Sequence, residues 1–178
     1  MSKVVIISGS PSEQSRIKAI QEFTTQFFQA RNIEPEVIEV RNLPPKDLIQ
    51  AKFDSKDVIE ANQKVEKADI VVLLSPVYKA SYSGVLKVYL DLLPQNGLAN
   101  KTILPLFIGG TISHLLAIDY ALNPVLTALG ATHLLKGAFI VDSQIEKLRS
   151  NQYQIDEIAQ ERLDSTFSQV ERFLLQTQ

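Results

Sequence analysis

Apolar residues along this chain follow two spacings. Short, mostly apolar runs at 4–7, 37–40, 70–74, 102–108 and 138–141 are each too short for a buried helix. They predict five strands, and the unbroken apolarity of 4–7 and 70–74 suits strands covered on both faces. Between them the apolar residues step by three and four. Ile17, Ile20, Phe23 and Phe27 predict a helix over 15–31 with those side chains buried. Further helices are predicted over 55–67, with Ser55 as cap and Val58 and Val65 facing inward, and over 83–93, 113–129 and 155–175. Residues 42–55, with Pro44 and Pro45, read as a connection. Strand and helix thus alternate about five times, which implies an α/β three-layer sandwich around a five-stranded parallel sheet with right-handed crossovers.

The chain has 178 residues, so 1–178 is expected to form one domain. No window approaches the roughly 20 apolar residues that span a bilayer. The start, Met1-Ser2-Lys3, enters the first strand without a secretory cleavage pattern, and cysteine is absent. The expectation is a cytoplasmic protein without disulfides or thiolate chemistry. His114 and His133 are the only imidazoles, and no H-E-x-x-H motif occurs, so no metal site is expected. The net charge of -2, without a basic block, argues against nucleic acid as a partner.

Open parallel sheets bind ligands beyond the carboxyl ends of their strands, where strand order reverses. Three turns leave those ends, at 8–16, 75–84 and 109–114. The first combines Gly9 with the hydroxyls of Ser10 and Ser15 and the guanidinium of Arg16, just before a helix. Such a helix start can hold a phosphate, although Ser15 can equally be a plain cap. Neither the dinucleotide fingerprint nor a Walker loop is present.

The second turn carries Pro76, Val77, Tyr78 and Lys79. Tyr78 offers a surface for a flat isoalloxazine ring, and the backbone of 76–79 can read its edge; an ordinary well-packed turn is the alternative. Gly84 would allow close helix approach, and Lys87 reads as a solvated charge. The third turn, Gly109-Gly110-Thr111, exposes backbone that can lie against such a ring. His114 invites either a proton-transfer or a positioning role. Pro124 lacks an N–H for the carbonyl of Tyr120, so the long helix must kink there or widen into a π-bulge.

Several long segments together resemble the NAD(P)H-dependent FMN reductases, a flavodoxin-like family, and within it the alkanesulfonate-utilisation branch. They include Phe53-Asp54-Ser55, the segment from Ser75 to Gly84, Pro105 to Thr111, and His114 to Leu122, extended by Pro124-Val125-Leu126 and Asp142-Ser143-Gln144. The resemblance implies a reductase that moves hydride from NADPH, or from NADH, to FMN. It also implies that reduced flavin passes to a separate flavin-dependent alkanesulfonate monooxygenase. By the same resemblance Ser10, Ser15 and Arg16 hold the flavin phosphate, while Pro76 to Tyr78 and Gly109 to Thr111 hold the ring. Tyr120 then matches a tyrosine in a π-helical insertion at a tetramer interface, which favours a bulge over a kink. A homotetramer is implied ahead of a dimer, with Leu115, Leu116, Leu122 and Leu126 either contributing to assembly or packing inside the monomer. The chain departs from its relatives at Ser12, where Arg is common, and at Ile17, where a hydroxyl residue is common.

Rival readings are an FMN-containing quinone or azo-compound reductase, an electron-transfer flavodoxin that does not oxidise NAD(P)H, and a flavin-free domain. No side chain needs to act as a covalent catalyst, because the cofactor carries the redox chemistry.

Overall fold

The computed structural model describes residues 2–149 and 152–176. In chain order the first elements are β1 (Val4–Ser8), α1 (Ile17–Gln29), β2 (Glu36–Glu39), α2 (Pro45–Ile49) and α3 (Lys56–Lys67). Then come β3 (Ile70–Tyr78), β4 (Ser81–Tyr82), α4 (Gly84–Leu90), β5 (Thr102–Gly109) and α5 (Asn123–Ala128). The chain continues through β6 (His133–Leu134), β7 (Ala138–Val141), β8 (Ile145–Lys147), β9 (Tyr153–Ile155) and α6 (Glu157–Gln176).

The main sheet runs β2-β1-β3-β5, with β6 and β7 forming two pieces of the edge beside β5. All these pairings are parallel. Counting the edge as one, this is the order 2-1-3-4-5 of flavodoxin-like sheets. From β1 the chain moves outward to β2, then returns past β1 to β3. The reversal therefore falls between β1 and β3.

Successive strand residues point to opposite faces, and each face has its own core. Val5, Ile7, Val71, Leu73, Ile103 and Phe107 pack against α3, α4 and α5. Ile6, Val72, Leu74, Leu104 and Ile108 pack against α1 and α6. Each fully buried aliphatic side chain contributes roughly 1.5–3 kcal/mol relative to exposure. An aromatic cluster joins the second pair of helices, with the Phe27 and Phe167 rings 4.6 Å apart. Among the described residues no helix is long and apolar enough to cross a membrane.

Several expectations change. In α1, Ile17 and Ile20 are buried as expected, but Phe23 and Phe27 are only partly covered and Phe28 is the fully buried ring. The proline-containing connection holds the short helix α2, which starts with proline in its first turn where a missing N–H costs nothing. Ser55 occupies the cap position of α3, yet its hydroxyl donates to Asp47 Oδ2 (2.8 Å) instead of receiving a helix N–H. The stretch 113–129 is not one α-helix. It is a 3-10 turn at Ile112–His114, a π-helix at Ile118–Leu122 and then α5, with Pro124 in the first turn. Leu122 and Leu126 point into the core and are unavailable to a partner.

Candidate functional site

Three adjacent strands, β1, β3 and β5, send their carboxyl ends into the three turns singled out above. Two buried serines lock the first two turns together. Ser75 Oγ accepts the Ser83 N–H (2.9 Å), and the Ser83 hydroxyl donates to the Gly9 carbonyl while accepting the Leu86 N–H (3.0 Å). The Gly9 N–H in turn donates to the Leu74 carbonyl (2.8 Å). A Cβ at Gly9 would lie 2.5 Å from Leu86 Cβ, so only glycine permits this approach of loop to helix.

Within the first turn Ser10 is fully buried, and its hydroxyl donates to the Ser12 carbonyl (3.0 Å). The turn is pinned further by Ser12 Oγ, which accepts the Gln14 N–H (3.2 Å). Ser15 Oγ accepts the Ile17 N–H (3.3 Å), so Ser15 is already structurally engaged. The backbone N–H groups of Ser10, Glu13 and Arg16 donate to no acceptor among the described residues. They lie at or just before the positive end of α1, a donor set suited to a phosphate. Arg16 uses its Nε to hold the Ile145 carbonyl (2.8 Å).

The central strand does not stop at Leu74 but continues through Pro76 and Val77 to Tyr78. It then reverses into β4, pairing Tyr78 with Ser81 and Val77 with Tyr82. The two residues of the reversal, Lys79 and Ala80, have φ of 50° and 63°. Hairpins of this kind normally place Gly, Asn or Asp there, so a strained backbone stands at the end of the central strand. Pro76 is buried, Val77 is half-buried, and Tyr78 is half-exposed. The Tyr82 hydroxyl is pushed above the usual phenol range by burial.

In the third turn the two glycines differ. Gly109 is buried against Phe139 and Val77, whereas a Cβ on Gly110 would meet nothing within 4 Å. Open backbone is therefore confined to Gly110 and the exposed Thr111, whose Oγ1 accepts the Ser113 N–H (3.3 Å). Gly84, expected at a close helix contact, also faces open space. His114 is half-buried in the 3-10 turn, where its backbone N–H donates to the Thr111 carbonyl (3.3 Å). Lys87 is paired with Asp91 (2.6 Å) on α4, which raises its pKa above the ordinary lysine value. Tyr120, at 79% exposure on the π-helix, points to solvent.

The structure thus brings Ser10, Ser15, Arg16, Pro76, Val77, Tyr78, Lys79, Gly109, Gly110 and Thr111 to one edge of the sheet. The reading of the sequence missed the tie through Ser75 and Ser83. Its signal was Ser75, a hydroxyl set directly after the apolar run 70–74. It also missed the β8–β9 hairpin, which reaches the first turn.

Strand order, the switch point and the phosphate-suited turn define a nucleotide-binding α/β protein of the flavodoxin type. The signature of the NADPH-dependent FMN reductases matches residues 2–146. The chain is 49% identical over 142 residues to an FMN reductase (NADPH) of Pseudomonas putida, covering 80% of this chain and 72% of that one. It is 43% identical over 143 residues to an FMN reductase (NADPH) of Escherichia coli K12, covering 80% and 75%. Among solved structures, an NADH:FMN oxidoreductase in its apo form superposes with a TM-score of 0.84 at 35% identity, covering 95% of this chain and 88% of the other. The chain belongs to the NADPH-dependent FMN reductase family, an oxidoreductase whose cofactors are FMN and NAD(P)H.

Proposed function

We propose that this chain is an NADPH-preferring FMN reductase of the alkanesulfonate-utilisation type, binding flavin where the three turns meet. The observation that carries the reading is the joining of the 8–16 and 75–84 turns at the switch point by the Ser83–Gly9 hydrogen bond. The open backbone of Gly110 follows β5, the strand beside β3. When bound, FMN would supply the redox chemistry as acceptor of hydride from NAD(P)H.

The protein's task is to hold and orient. The free N–H groups of Ser10, Glu13 and Arg16 and the positive end of α1 take the phosphate. Ser10 and Ser15 keep the turn in shape. Tyr78, the backbone from Pro76 to Lys79, and Gly110 and Thr111 would hold the ring. These residues would orient the ring for a nicotinamide, and alignment of the two rings would be the main source of rate. His114 borders this edge as a positioning candidate.

Preference for NADPH is supported by the similarity to the FMN reductases (NADPH) of Pseudomonas putida and Escherichia coli. In this reading the protein works in the cytoplasm and passes reduced FMN to a separate flavin-dependent alkanesulfonate monooxygenase. It assembles as a homotetramer, or a dimer, through the exposed Leu115, Leu116 and Tyr120. Steady-state assays with FMN, quinones and azo compounds as acceptors test the proposal. NADPH oxidation that tracks free FMN is expected; faster turnover of quinones with flavin retained would reject it.

A further inference from the structure

We propose that Lys147 is a phosphate-binding residue for FMN, carried to the first turn by a hairpin that straddles the end of the family-matched segment. The inference rests on the reading that this turn holds the flavin phosphate. The match ends at residue 146, one residue before this lysine. β8 and β9 form an antiparallel hairpin in which Ile145 pairs with Ile155 and Lys147 with Tyr153.

The base of the hairpin is fixed. Ile145 is 1% exposed within the core, Tyr153 and Ile155 pack against the same core, and Arg16 Nε holds the Ile145 carbonyl. From that base Lys147 reaches back 133 residues in sequence, and its Nζ donates to Gln14 Oε1 in the middle of the turn (3.2 Å).

The charge of Lys147 is not cancelled. It joins no ion pair among the described residues, and a neutral amide is the partner it holds. Nearby, Lys18 is paired with Glu22 (3.8 Å), and Arg16 has its Nε committed to Ile145. Glu13, exposed on the turn, is the acidic group that a phosphate must tolerate. Ser12 brings no charge. A phosphate dianion beside three free N–H groups therefore has two cations within the hairpin and turn, Arg16 and Lys147. Lysine suits the second place, because an ammonium is a compact charge with three donors and only one is used by Gln14.

Fluorescence titration of FMN and of riboflavin, which lacks the phosphate, tests the assignment in wild type, Lys147→Gln, Lys147→Arg and Arg16→Gln. Lys147→Gln is expected to weaken FMN binding roughly three- to tenfold, to leave riboflavin unchanged and to flatten the salt dependence of FMN affinity. Lys147→Arg should restore FMN binding. Unchanged FMN affinity in Lys147→Gln, or an equal loss for riboflavin, would overturn the proposal. So would a change confined to NADPH-over-NADH selectivity, since NADPH also carries a phosphomonoester. If Arg16→Gln alone abolishes the preference for FMN, the phosphate reading of the turn stands and Lys147 drops out. Equal affinity of the wild type for both flavins would remove the phosphate reading itself, and the role of Lys147 with it.

Discussion

Ser83 and Gly9 lie 74 residues apart, yet the Ser83 hydroxyl donates to the Gly9 carbonyl and caps α4 through the Leu86 N–H. One side chain thus closes a helix end and fastens two loops at the point where strand order reverses. Ser83→Ala leaves a buried carbonyl and a helix N–H without partners. It should cost about 1–3 kcal/mol in urea unfolding and weaken FMN binding as the loops separate. An unchanged unfolding midpoint would show that the contact does not matter.

Strain in the turn after the central strand is measurable. Ala80 holds a φ of 63°, a region that costs an L-residue roughly 1–2 kcal/mol and glycine almost nothing. Ala80→Gly is expected to stabilise the protein by about 0.5–1 kcal/mol once the extra chain entropy of glycine is set against the relief. A lower melting temperature would mean that the methyl group makes contacts outweighing the strain.

Tyr120 tests the oligomer. Its side chain is almost fully solvent-facing, so Tyr120→Ala should leave the monomer's stability within about 0.5 kcal/mol of wild type. Sedimentation of the variant should shift toward smaller species, or its retention of flavin should change. Wild-type sedimentation, turnover and FMN affinity together would remove any special role for the residue.

Asp47 gives a pH signature. The Ser55 hydroxyl first, and Lys52 second, hold its carboxyl below the ordinary 3.8. The unfolded chain therefore binds the proton more tightly. The stabilisation is complete above 3.8 and is lost as pH falls through the lower folded value. Asp47→Asn should lower the urea midpoint near neutral pH, and the gap from wild type should close in strong acid. A gap independent of pH would assign the effect to packing instead.

The β-branched runs made the sheet legible, because only strands covered on both faces carry such unbroken apolarity. Pro124 alone left a kink and a π-bulge open, since a missing N–H leaves a carbonyl one turn back to be satisfied otherwise, and the resemblance to the FMN reductases pointed to the bulge that the structure shows. The β8–β9 hairpin was not legible, because Ile145-Glu146-Lys147 is too short and too polar to stand out from a loop. Pro44 and Pro45 were read as part of a connection, although proline in a first turn is well suited to start a helix. The length of the central strand was hidden by Pro76. Ser55 was misread because the local pattern cannot show that Asp47 competes for its hydroxyl. Gly109 was misread for a similar reason, since it is crowded by Phe139, a residue distant in sequence, whereas Gly84 faces open space.

Anaerobic stopped-flow mixing of NADPH with protein and FMN tests the central claim, reduction of a flavin held between these loops. The account requires the visible absorbance of the oxidised flavin to bleach at a rate that saturates with NADPH. Flavin that remains oxidised, with either NADPH or NADH in excess, would contradict it.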